Sequence, residues 1–124
     1  MKHISTGSPF EAKMGYSRAV VKGGWCFVSG TTGYDYETMR MPAAAAEQAR
    51  NCFGTIWRVL AEAGFAPEDI VRVQYTVTDR ALVEEITPVL DEYLGTIRPA
   101  ATMVIGGLIQ PEMQIEVEVT AFKG

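Results

Sequence analysis

"DIVRVQYTVTD", residues 69–79, is the stretch from which the fold is read. Val71, Val73, Tyr75 and Val77 alternate with Arg72, Gln74, Thr76 and Thr78, the period of a strand with one apolar and one polar face. Such a strand needs a covering layer on its apolar side only. The preceding residues supply one: from Ala46, the positions Ala49, Phe53, Ile56, Leu60 and Ala63 recur at spacings of three and four, marking a helix with one buried face that ends at Gly64. A helix followed by a two-faced strand implies a sheet with helices packed on one side.

Working outward, "SRAVVKGGWCFVSG" reads as two strands, residues 17–21 and 25–29, joined by a Lys-Gly-Gly turn. A Gly/Thr-rich loop, "GTTGYDYETMRM", leads to Pro42, placed for the first turn of the helix. Asp79 is a natural cap for a second helix carrying Leu82, Ile86, Val89, Leu90 and Tyr93, closed by Gly95. Pro88 has no amide proton, so a kink or restart is expected near Thr87. "ATMVIGG" and "MQIEVEVTAF" are the last two strands, separated by a turn region at Gly106, Gly107 and Pro111. The expected order is ββαβαββ, an α+β domain spanning residues 1–124.

At 124 residues and 48% hydrophobic content, the chain has room for one core and not for two. A net charge of -4 with scattered basic residues lacks the footprint of a phosphodiester-binding surface, so no nucleic acid partner is expected. Neither a leader nor a membrane-length apolar run is present, so the expected location is the cytoplasm, with no membrane partner. Cys26 and Cys52 lie outside any metal or redox pattern and read as buried reduced thiols. The single histidine, His3, reads as an edge-strand residue, so no metal site and no histidine-based triad are expected. Chemistry therefore falls to carboxylates, tyrosine, hydroxyls, arginines and backbone amides.

Three clusters carry those groups. The last strand alternates Ile115, Val117 and Val119 with Glu116, Glu118 and Thr120; its carboxylates form either a solvated face or, for one of them, a general base in a cleft. Tyr16 and Arg18, two apart, share a side if extended; they form either a pocket with a carboxylate-binding guanidinium or an edge aromatic beside a surface arginine. "SGTTG", residues 29–33, offers backbone amides and the hydroxyls of Ser29, Thr31 and Thr32 at a strand end; it is a plain turn or an oxygen-binding loop.

Together, "GYSRAVVKGGWCFVSGTTG", "AEQARNCFGTIWRVLAEAGFAPEDIVRVQYTVTD" and "RPAATMV...MQIEVEVTAF" resemble the RidA family, also called YjgF or L-PSP endoribonuclease-like, over nearly the whole chain. The resemblance implies a chorismate-mutase-like subunit, a homotrimer with clefts between neighbouring chains, and hydrolysis of reactive enamines and imines to 2-keto acids and ammonia without metal or organic cofactor. Carried over by position, Tyr16 matches the pocket tyrosine, Ser29 and Gly30 the strand-end pair lining the cleft, and Glu116 the water-positioning glutamate. The arginine that clamps the substrate carboxylate in deaminating members falls at Ala101, and Met103 stands where they often have cysteine. The missing guanidinium removes a two-point, charge-assisted contact. Arg18, or second Arg40 on the loop after "SGTTG", is the expected substitute; Arg98, at an odd offset from Ala101, is expected to point to the opposite face.

Three functions follow as expectations. One is a deaminase or related hydrolase on a small reactive metabolite, with Glu116 orienting water and residues 29–31, Thr31 included, polarising the reacting group. Another is a non-catalytic small-molecule-binding trimer, favoured by Ala101. The ribonuclease of the older family name has least support, given the acidic charge and lone histidine.

Overall fold

A computed structural model describes all 124 residues, Met1–Gly124. Six strands form one sheet: β1 (Lys2–Ile4), β2 (Ala19–Lys22), β3 (Trp25–Thr32), β4 (Ile70–Val77), β5 (Ala100–Ile105) and β6 (Ile115–Phe122), in the spatial order β1-β2-β3-β6-β4-β5. Three helices accompany them, α1 (Pro9–Met14), α2 (Ala45–Ala63) and α3 (Val83–Leu94). The mixed α+β class and one-sided covering stand as expected. The order gains a short edge strand and a short helix at the N-terminus.

The alternation in β6 sorts the sheet into two faces. Ile115, Val117 and Val119 are buried on the side covered by α2 and pair with Val77, Tyr75 and Val73 of β4. Glu116, Glu118 and Thr120 pair with Thr76, Gln74 and Arg72 on the other, open face. Val71 leaves the expected apolar row: a register shift between Ile70 and Arg72 buries Ile70 instead and turns Val71 outward. The open face has no helix over it. Trp25, Phe27 and Phe122 stand there exposed, with ring centroids 6.0 Å (Trp25–Phe27) and 4.6 Å (Trp25–Phe122) apart.

β5 is an edge strand, parallel to β4, and the segment after it crosses to place β6 at the sheet centre between β3 and β4. Their register aligns Ala101 with Val73 and Met103 with Tyr75, so both belong to the helix-covered face. Thr102 lies on the open face, where its hydroxyl accepts from Arg72 at 3.2 Å.

α2 ends at Gly64 in the left-handed conformation (φ 84), as its position predicts, but begins at Ala45, leaving Pro42 outside. Pro88 does not interrupt α3. It sits on the exposed side, where water can satisfy the carbonyl its ring leaves without a donor, while Ile86 and Val89 anchor the helix to the core. Asp79 caps a short 3-10 turn ahead of α3, accepting from the Ala81 amide at 2.9 Å.

Residues 30–41, read as a loop, contain Tyr34 and Tyr36, which are buried with Met113 in a second small core. Gln48 of α2 ties this region together. Its Nε2 donates to Pro42 O (2.8 Å) and Glu112 O (3.0 Å), and its Oε1 accepts from the Gln114 amide (2.9 Å). Gly33 permits α2 to come this close, because a Cβ there would lie 2.5 Å from Gln48 Cβ and 2.6 Å from its Cα. Gly33→Ala is therefore expected to destabilise the fold by about 1–3 kcal/mol through overpacking, read as a lowered urea midpoint with an unchanged m-value.

Candidate functional site

The candidate residues form two groups. The first sits where β3 leaves the open sheet. Between Val28 and Thr31 the β3–β6 register slips by one residue, a bulge that falls on Ser29 and Gly30. It turns Thr31 into the interior and brings Glu116 over Gly30: a Cβ at Gly30 would lie 2.6 Å from Glu116 Cδ and 2.8 and 2.9 Å from its carboxylate oxygens. A side chain at this position would push that carboxylate aside.

Glu116 is half-buried and accepts no hydrogen bond from the protein. Burial, then the neighbouring Glu118, push its carboxyl above the usual glutamate value, while Arg18 acts in the opposite direction. An unpartnered carboxyl of raised basicity is suited to exchanging a proton with a ligand or a water.

Arg18 is neither a surface residue nor a free clamp. It is 1% exposed, and its guanidinium is engaged inside: Nε to Glu11 Oε2 (3.3 Å), Nη1 to Gly30 O (2.7 Å) and Thr31 Oγ1 (3.2 Å), Nη2 to Tyr16 Oη (3.4 Å). The Tyr36 ring lies 4.9 Å away. These bonds fix the bulge and leave no part of the guanidinium free for a ligand carboxylate. Tyr16, accepting from Arg18, keeps its own proton to donate.

The hydroxyls are less available than the sequence indicated. Ser29 Oγ donates to Ser17 O at 2.7 Å and Thr31 Oγ1 to Ser29 O at 2.9 Å. The Ser29 amide is also taken, by Arg18 O at 2.8 Å. Thr31 is fully buried and presents nothing to a ligand. Ser29 does border an open-face cavity of about 260 Å³ with Phe27, Arg72, Gln74 and Glu118.

The second group lies across the sheet. Ala101 lines an open cavity of about 350 Å³ with Val73, Tyr75, Thr87, Leu90, Asp91, Leu94 and Arg98. Met103 packs against the core nearby. Ala101 and Glu116 thus occupy opposite faces, and a single chain cannot present both to one ligand. Arg98 differs from its expected direction. It precedes β5, with φ 54, so strand parity does not apply to it, and it lines the same cavity as Ala101.

The remaining candidates stand apart from both groups. Arg40 is exposed, bonded to Asp35 only through the backbone, and its side chain makes no hydrogen bond. Cys26 and Cys52 are free and buried, with burial raising both thiol pKa values. His3 lies on edge strand β1 and shares a 3.0 Å hydrogen bond with Ser17 Oγ. No group of three or more acidic, Cys or His side chains is placed to hold a metal ion, and no helix is long and apolar enough to cross a membrane. A further cavity, about 490 Å³ beside α2 and bordered by Arg50, Asn51 and Arg58, contains none of the residues carried over from the family resemblance.

Sequence reasoning missed Glu11, the counter-ion of Arg18. The signal was present in Ser8-Pro9-Phe10-Glu11, a helix-start pattern in which Ser8 accepts from the Phe10 amide at 3.1 Å.

The family model described as Endoribonuclease L-PSP matches residues 6–123. Rv2704 of Mycobacterium tuberculosis, a member of the YjgF/YER057c/UK114 family, is 36% identical, with a TM-score of 0.90 covering 98% of each chain. A RutC family protein of Aquifex aeolicus is 30% identical over 87% of this chain and 88% of its own length. A Streptomyces coelicolor protein is 29% identical over 100% and 93%. Matched along nearly its whole length in sequence and in fold, the chain belongs to the RidA, YjgF or L-PSP family.

Proposed function

We propose that the protein hydrolyses a small enamine or imine to a carbonyl compound and ammonia, in a cleft completed by a second copy of the chain. The observation that carries this reading is the Glu116 carboxyl, held over Gly30 without a protein donor and raised in pKa by burial. As carboxylate it takes a proton from a water adding to the C=N carbon. The resulting carboxylic acid returns the proton to nitrogen to give the carbinolamine; the carboxylate then takes the hydroxyl proton and passes it to the amino group, so that ammonia leaves as the C=O forms. The Tyr16 hydroxyl, which accepts from the same Arg18 that holds Gly30 O, has a proton to offer the substrate.

The split of the candidate residues between two faces supports an inter-subunit cleft, and the exposed Trp25, Phe27 and Phe122 give the open face an apolar surface that closed association would bury. We propose the homotrimer on that basis.

Ala101 favours a second reading, a non-catalytic binder of small metabolites, since the clamp position offers no charge. The ribonuclease reading has little support from a chain with net charge -4 and one histidine.

Glu116→Gln decides between the first two. Turnover of freshly generated 2-aminoacrylate, followed as keto-acid and ammonia release, should fall by about 100-fold or more with ligand affinity retained. Activity of the unmodified protein should rise with pH through a group titrating above the ordinary glutamate range, and the variant should lack that limb. Stability gives an independent check. A carboxyl whose folded-state pKa is raised stabilises the fold below its unfolded value and loses that contribution as pH rises through the folded one. Glu116→Gln should therefore raise Tm at pH 7, with the gain disappearing in acid. Absence of turnover in the unmodified protein on any imine substrate would leave the binder. Sedimentation at micromolar concentration should give a trimer; a stable monomer contradicts the shared cleft.

A further inference from the structure

We infer that Arg98 is the anion-binding residue of the cavity beside β5, making it selective for small carboxylates with a short aliphatic body. This rests on the proposed function and deepens it by naming the group that takes the substrate carboxylate where Ala101 cannot.

The backbone gives the first reason. Arg98 has φ 54, and apart from Met39 it is the only residue other than glycine at positive φ. A side chain disfavours that conformation, so a glycine would be more comfortable there. Strain of this kind concentrates at functional positions. Its amide closes the end of α3 by donating to Leu94 O at 2.8 Å, which carries the side chain to the helix-covered side of β5. Arg98 consequently borders the same cavity as Ala101, Tyr75 and Leu90.

The second reason is that this guanidinium is unspent. Its one hydrogen bond is a 3.5 Å contact from Nη1 to Gly95 O. The two ion pairs of the structure, Glu11–Arg18 and Arg50–Glu92, do not involve it. Arg18, by contrast, is buried with every nitrogen engaged. Arg72, beside the other cavity, spends one bond on Thr102 and shares that cavity with Glu118, so Arg98 is the arginine whose fork of donors stands open in the cavity that Ala101 lines.

The cavity states what the rest of the ligand must be. Val73, Leu90, Leu94 and Ala101 provide an aliphatic lining, and the small Ala101 side chain leaves room against the strand. Tyr75, which donates no hydrogen bond within the protein and whose hydroxyl is pushed up to about 12 by burial, remains a neutral donor at neutral pH. Asp91 shares the cavity but forms no ion pair with Arg98, so its charge opposes a second anionic group and favours a neutral or cationic nitrogen. A 2-imino or 2-amino carboxylate, or the 2-oxo acid formed from it, meets these conditions at about 350 Å³.

The test is calorimetric titration of the oligomeric protein with 2-oxobutanoate and with its uncharged methyl ester. Arg98→Gly relieves the backbone strain and should fold with an undiminished Tm. It should weaken 2-oxobutanoate binding by about tenfold or more, the scale of a lost charge-assisted hydrogen-bond pair. Arg98→Lys, keeping the charge without the fork, should recover part of that loss, and the ester should bind all three proteins alike. Unchanged 2-oxobutanoate affinity in Arg98→Gly, an equal loss for the ester, or no binding of 2-oxobutanoate by the unmodified protein would each overturn the inference. Turnover separates it from the deaminase reading. Arg98-dependent binding without any imine hydrolysis leaves this site standing and removes the activity. Imine hydrolysis whose KM is the same in Arg98→Gly does the reverse.

Discussion

Arg18 carries a full charge with 1% of its surface exposed, and one end of the sheet is organised around satisfying it. A buried cation without partners would be prohibitively costly. Glu11 neutralises it from α1, a six-residue helix too short to persist alone. Ser5 and Thr6 donate to the same carboxylate, which draws the N-terminal segment against the body of the protein. On the other side, the guanidinium takes Gly30 O and Thr31 Oγ1, and so fixes the bulge in β3. That bulge places Gly30 under Glu116. The position of the candidate acid-base group thus follows from how a buried charge is solvated.

The two glutamates near Arg18 make the physical contrast plain. Both are opposed by burial. For Glu11, hydrogen bonds from Thr6 and Ser5 and the charge of Arg18 outweigh it and hold the carboxyl below its usual value. Glu116 receives no such bonds and is raised. Donors, more than proximity to the guanidinium, separate a structural carboxylate from one free to exchange a proton. The one-sided sheet imposes the other constraint: strand parity puts Glu116 and Ala101 on opposite faces, so any ligand touching both must lie between two copies of the chain.

Much of this was legible in the amino-acid sequence because it rests on period-two alternation. Residues 115–120 sort themselves into a buried and an open row, and the helix over Ala46–Ala63 is visible from its apolar spacing. What escaped has local physical causes. β1 is three residues long and α1 six, too short for periodicity to appear. One-residue register shifts at Val71 and at Ser29–Gly30 break the parity that alternation assumes. Pro88 marks a helix interruption by its chemistry, yet it lies on an exposed face of a helix anchored by Ile86 and Val89. Arg98 was assigned to the wrong face because its φ of 54 takes it out of the strand that the parity argument presumed. The residue types of the candidate site could be read from the sequence, whereas the commitment of Arg18, Ser29 and Thr31 to interior partners depends on contacts between separate segments.

The most direct measurement is subunit complementation between Glu116→Gln and Ala101→Trp chains, which disable opposite halves of the proposed inter-subunit cleft. Each variant alone should be inactive toward an imine substrate. Chains refolded together in equal amounts should recover roughly a quarter of the unmodified activity over the whole population, since each shared site draws its two halves independently from neighbouring chains. Mixed trimers verified by native mass spectrometry that remain inactive, while unmodified protein refolded in parallel is active, would contradict a site built across the subunit boundary.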